Sequence, residues 1–215
     1  MRLPLDLRLT PEQFALVCQA NPGAVLELAA DGQLIAMAPT GGDTSRRNSR
    51  LLTALQNWAT RQGGWEVFDS SGGFHLPDGS VLSPDAAVVR QERWQALGPE
   101  QRRGFPPLCP DLVVELVSPS DEGPRGAEAL RRKMAVYLAN GAQLGWLLFP
   151  EERAVEIWQA EGDSSGGGAT PGAEASGRSA CQSPGAGQRL EPASCLEAGP
   201  LFPGLVLELE EIWAS

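Results

Sequence analysis

Asp111-Leu112-Val113-Val114-Glu115-Leu116-Val117 reads as a β-strand, and its pattern sets the class of fold. Alternation puts Leu112, Val114 and Leu116 on one face and Asp111, Val113, Glu115 and Val117 on the other. Both faces are mostly apolar, as in a strand covered on both sides by further layers. Downstream, Leu130, Met134, Tyr137 and Leu138 recur at helical spacing to about Ala139, and Asn140-Gly141 closes that helix. Leu144–Phe149 and Ala154–Gln159 follow as a strand pair, with Pro150-Glu151-Glu152-Arg153 as the turn.

Upstream, Trp65–Asp69, Gly73–Leu76 and Pro84–Val89 read as strands separated by Gly-containing turns. Before them, Leu51, Leu52, Leu55, Trp58 and Ala59 mark an amphipathic helix over roughly Ser45–Arg61, ended by Gly63-Gly64. At the N-terminus, Thr10-Pro11-Glu12-Gln13 carries the marks of a helix start, with Thr10 as cap, Pro11 first and Gln13 completing a capping box. Strands Ala24–Ala29 and Gln33–Ala38 then meet across Asp31-Gly32, a hairpin signal. Short helices are expected over Gln91–Leu97 and Pro99–Arg103. Strands clustered between helices predict an α/β (α+β) fold, a sheet with helices packed on it.

A length of 215 residues suits one domain with an appendage. From Glu161 to Gln188, 21 of 28 residues are Gly, Ser, Ala, Pro or Thr, too few apolar groups to offset the entropy of ordering. The predicted organisation is therefore a single domain, 1–160 plus 189–215, interrupted by a flexible insertion, 161–188. The apolar run Leu201-Phe202-Pro203-Gly204-Leu205-Val206-Leu207 returns to the core. The formal charge of −10 excludes a generally basic nucleic-acid coat protein but not a metal-dependent enzyme. Apolar runs are too short to span a membrane, and no signal peptide is visible. With no CxxC pair and one histidine, His75, a Cys/His zinc site is not expected. Cys18, Cys109, Cys181 and Cys195 are read as reduced thiols of a cytoplasmic protein.

Three residues break the hydrophobic pattern. Glu115 sits inside a buried strand, where a carboxylate loses hydration and needs a cation, a metal or a wet cleft. Asp85 follows Pro84 at the start of another buried strand. Lys133 lies on the inward stripe of the helix that carries Leu130, Met134 and Tyr137. Two carboxylates and a lysine on one sheet suit a divalent-metal site, with Mg²⁺ matched to hard oxygen ligands and the lysine beside the attacked phosphate. Each residue also has a plainer reading: a turn cap for Asp85, a buried ion pair for Glu115, a solvent-directed amine for Lys133. Arg46, Arg47 and Arg50 share one helix face, either solvated or a local contact for DNA phosphates. His75 has no evident partner.

These residues lie in stretches with a familiar look: Leu26-Glu27-Leu28 with Asp31-Gly32, Gly41-Gly42-Asp43 into Asn48, Phe74-His75-Leu76-Pro77-Asp78-Gly79, Ser83-Pro84-Asp85-Ala86, Pro110-Asp111 through Glu115 to Ser118-Pro119-Ser120, and Lys133 through Tyr137 to Asn140-Gly141. The chain resembles the Uma-two family of restriction-endonuclease-like proteins, a branch of the PD-(D/E)XK nuclease superfamily. The resemblance implies a restriction-endonuclease-like fold, a mixed central sheet flanked by helices, often in a homodimer. It implies a Mg²⁺- or Mn²⁺-dependent endonuclease acting on DNA, with Asp85 and Glu115 as metal ligands and Lys133 as the third catalytic residue. The superfamily's usual lysine falls two residues after the glutamate, where this chain has Val117. Lys133 is then the substitute from the neighbouring helix. Glu27 and Asp43 fall in family motifs and would support the metal or its water. The competing readings are a non-catalytic interaction protein on the same fold and a two-carboxylate glycosidase.

Overall fold

The computed structural model of the chain describes residues 7–37, 40–118, 124–159 and 188–214. The predicted insertion lies almost wholly outside them. Helix α1 (Pro11–Ala20) begins with the expected capping box between Thr10 and Gln13 and is followed by the hairpin of β1 (Val25–Leu28) and β2 (Leu34–Met37). Helix α2 runs over Gly42–Gln62, three residues longer at its start than the apolar spacing implied. Strands β3 (Trp65–Asp69), β4 (Phe74–His75), β5 (Val81–Leu82) and β6 (Ala86–Arg90) come next, then the short helices α3 (Gln91–Gln95) and α4 (Pro99–Arg103). Strand β7 (Leu112–Leu116), helix α5 (Pro124–Ala139) and strands β8 (Leu144–Phe149) and β9 (Ala154–Gln159) complete the centre. The C-terminal part adds β10 (Gln188–Leu190), β11 (Cys195–Glu197), β12 (Val206–Glu208) and α6 (Glu210–Trp213).

The main sheet has six strands in the order β10-β9-β8-β7-β6-β3, and only β7 and β8 run parallel. That pair needs a crossover, and α5 supplies it. A second sheet, β2-β1-β5-β4, stands beside the first, and β11 pairs with β12. The alternation in β7 holds. Leu112, Val114 and Leu116 join a core with Leu51, Leu55 and Trp58 of α2 and with Phe202, Leu205 and Leu207 of the C-terminal run. Val113 faces a second core with Met134 and Tyr137 of α5, with Phe74 and Leu82 of the smaller sheet, and with Leu76 just after β4. A third cluster packs Phe14 of α1 on Leu26, Leu28 and Val81.

Gly145 decides how closely α5 approaches the sheet. A Cβ built there would lie 2.9 Å from Met134 Sδ, with Trp158 and Val113 also in contact. Having no side chain at this point of β8 lets the helix settle onto the strands and brings Lys133, the neighbour of Met134, down to them.

The expectation of four reduced thiols needs correction. Cys18 and Cys109 are free, but Cys195 is disulfide-bonded, with its partner outside the described residues. The expectation rested on cellular compartment, which does not determine whether two sulfurs are folded into reach. Among the described residues, no helix is long and apolar enough to cross a membrane.

Candidate active site

Asp85 immediately precedes β6, and the antiparallel register pairs Ala86 with Val114 and Ala87 with Val113. Continued by one residue, that register sets Asp85 across from Glu115, on the face covered by α5. Glu115 is 2% exposed. Lys133, on α5, brings its ammonium to this carboxylate: Nζ lies 2.8 Å from Glu115 Oε1 and 2.7 Å from Glu27 Oε1. Nζ also donates to the Ser83 carbonyl at 2.9 Å, and the Ser83 N–H donates to Glu27 Oε1 at 2.8 Å. Asp85 is held from two directions. Its Oδ2 accepts from the Leu116 N–H at 2.8 Å, and its Oδ1 accepts from Asn48 Nδ2 at 3.1 Å. Four separate elements thus meet at one place: β1, the segment before β6, β7 and α5, with α2 reaching in through Asn48.

The electrostatics follow from this crowding. Burial pushes the Glu115 carboxyl up to about 8; the Lys133 ammonium opposes that, and the charges of Asp85 and Glu27 add to it. Burial works against the Lys133 ammonium too, but Glu115 and Glu27 outweigh it and hold the amine well above its ordinary range. Lys133 therefore stays cationic near neutral pH and presents a positive charge to the carboxylates around it. The Tyr137 ring lies 5.9 Å from Nζ, and its buried phenol is raised well above the usual value, by burial first and then by the nearby carboxylates.

The expected residues do not all converge. Asp85, Glu115, Lys133 and Glu27 come together. Asp43 does not: it is exposed in the first turn of α2, 3.8 Å from Arg46. Arg46, Arg47 and Arg50, considered as a phosphate-facing row, are engaged within the chain. Arg46 donates to the Ala214 carbonyl at 2.9 Å, Arg50 donates to the Glu211 carbonyl, and Arg47 is 4% exposed and pairs with Glu151 at 2.9 Å. These contacts fasten α2 to the C-terminal turn and to the β8–β9 loop, partners that no local spacing announces. Asp111, at the opposite end of β7, accepts from the Arg90 N–H and pairs with Arg93 at 2.8 Å, a structural role. Asn48 is a site residue that the charge pattern did not single out. The signal was present in the stripe Thr44, Arg47, Leu51, Leu55, which turns polar towards the start of α2.

Among the described residues, no three Asp, Glu, His or Cys side chains are grouped to hold a metal ion, because the Lys133 ammonium lies between Glu27 and Glu115. The donors nonetheless fit a hard divalent cation. Asp85 and Glu115 supply carboxylate oxygens, and Mg²⁺ takes one or two such groups while keeping several waters. Beside Asp85, the buried Asn48 Oδ1 has no hydrogen-bond partner among the described residues.

A family model, Uma2, described as "Putative restriction endonuclease", matches residues 11–179. The chain belongs to the Uma2 family. Among solved structures it is similar to a "putative nuclease belonging to DUF820 from Anabaena variabilis ATCC 29413", with a TM-score of 0.66 and 17% identity over 95% of this chain and 97% of that one. At that identity the likeness bears on the fold alone. No match was found among curated proteins. Membership of Uma2 makes the chain restriction-endonuclease-like, as its motifs implied.

Proposed function

We propose that this Uma2 protein is a Mg²⁺- or Mn²⁺-dependent phosphodiester hydrolase acting on DNA, assembled as a homodimer. The observation that carries the reading is the meeting of Lys133 Nζ with Glu115 and Glu27 at 2.8 and 2.7 Å, next to Asp85, in a family described as nuclease-like. Asp85 and Glu115 would hold the cation, which when bound supplies Lewis acidity and a water of lowered pKa. The Leu116 N–H and Asn48 keep the Asp85 carboxylate from turning away. Glu27 and the Ser83 carbonyl aim the Lys133 ammonium, and that fixed charge favours the build-up of negative charge on a phosphate in the transition state.

The reading is tested by incubating the purified chain with supercoiled and linear DNA, and with RNA of matched length, in Mg²⁺, Mn²⁺ or EDTA. The expected result is cation-dependent cleavage of DNA that falls at least ~10³-fold in Asp85→Ala and Lys133→Met, as for groups acting directly at a reaction centre. A chain that neither cleaves nor binds either ion overturns it and leaves the non-catalytic reading. The internal engagement of Arg46, Arg47 and Arg50 is the observation on that side. Sedimentation of the intact chain tests the homodimer.

A further inference from the structure

We infer that Asn48 is a positioning residue of this site whose side-chain carbonyl accepts a hydrogen bond from a water carried by the cation. The inference rests on the metal-dependent reading above and extends it to a residue outside the Asp–Glu–Lys set. Asn48 lies in the second turn of α2, and its amide nitrogen donates to Asp85 Oδ1 at 3.1 Å. The orientation of the amide follows from that contact, since the reverse would set two acceptor oxygens against each other. It leaves Asn48 Oδ1 buried, beside the carboxylate, with no donor for it among the described residues.

A buried acceptor without a donor is costly and calls for an explanation. Neighbouring polar groups supply none: Arg47 turns to Glu151, and Thr44 is buried at the preceding turn. A hydrated divalent ion at Asp85 brings what is missing. Its retained waters are polarised O–H donors, and an amide oxygen next to the coordinating carboxylate is a suitable acceptor for one of them. Asn48 then does two jobs with one amide. The N–H fixes Asp85, and the carbonyl holds water that belongs to the ion.

The test is Mn²⁺ affinity, read by the loss of the free-ion paramagnetic resonance signal in the full-length protein without DNA. Asn48→Leu keeps the size of the side chain and removes both donor and acceptor. Asn48→Asp removes the donor and keeps an acceptor oxygen. The expected result is a 10- to 100-fold weaker Mn²⁺ Kd for Asn48→Leu at a melting temperature near that of the parent, with affinity retained or increased in Asn48→Asp. Should Asn48→Leu fail to fold, Asn48→Ala removes the same two groups and takes its place. Unchanged affinity in the Leu variant, or equal losses in the Leu and Asp variants, overturns the inference while the proposed function stands. Failure of the parent itself to bind Mn²⁺ overturns both.

Discussion

Glu115 holds a proton more tightly in the folded chain than an ordinary carboxyl does, because burial pushes it up to about 8 against an ordinary value of 4.5. The sign of its effect on stability follows. Below the ordinary value the group is neutral in both states and costs nothing. As pH rises towards 8 the unfolded chain ionises first, and the folded state loses relative stability across that window. Glutamine at this position is neutral throughout, and Lys133 keeps Glu27 and the Ser83 carbonyl as partners. Glu115→Gln is therefore expected to come close to the parent at pH 4 and to exceed its unfolding free energy by about 2–4 kcal/mol at pH 9, in EDTA. Urea denaturation at the two pH values measures this. A difference that does not change with pH would show that Glu115 titrates alike in the folded and unfolded states.

At the scale of elements, the site depends on how α5 rests on the sheet. Periodicity alone put Lys133 on the inward stripe of that helix, and the structure agrees. It could not show that Gly145, on β8, is what lets the helix come close. Gly145→Ala would drive a methyl group to within 2.9 Å of Met134 Sδ. The expected cost is about 1–3 kcal/mol, as for overpacking elsewhere, together with a loss of cleavage activity larger than the loss of stability explains. Thermal melts and cleavage rates on the same preparation separate the two effects. A fully active variant with a parental melting temperature would show that α5 has slack at this contact. The arginines of α2 belong to this scale as well. Their spacing resembles a phosphate-binding row, yet they bind the C-terminal turn and Glu151, so charge on a helix face did not reveal its partner.

For the whole molecule, the core contains residues from both sides of the Gly/Ser/Ala-rich segment. Phe202, Leu205, Leu207 and Ile212 pack with Leu51, Leu55 and Trp58 of α2. Strand β10 pairs with β9, with Gln188 opposite Ile157, so the two ends of that segment are neighbours in one ladder. A short turn can join neighbouring antiparallel strands. Replacing residues 161–187 with a five-residue Gly/Ser turn is therefore expected to shift the melting temperature by no more than about 4 °C, the equivalent of ~1 kcal/mol. Calorimetry under reducing conditions measures it, since Cys195 then contributes no cross-link in either protein. A collapse of the transition would show that the segment supports the fold.

Much of the fold was legible in the chain because it rests on local patterns. Period-two alternation identified β7 and its two covered faces, a 3.6-residue stripe identified α2 and α5, and Thr10 with Gln13 marked the start of α1. The brief strands β5, β10, β11 and β12 were not foreseen; with two or three residues each they have no period to read. Asp85, Glu115 and Lys133 stood out because each sets a charge where the pattern calls for an apolar group. Desolvating a charge is expensive enough that its presence in a buried stripe requires a partner, which is why sequence alone could say that they need company. Who the company is depends on register and on the distance between layers. Only the folded chain brings Glu27 and Ser83 to the amine, Asn48 to Asp85, and the arginines to the C-terminal turn, because those contacts join residues remote in sequence through geometry that no local spacing encodes.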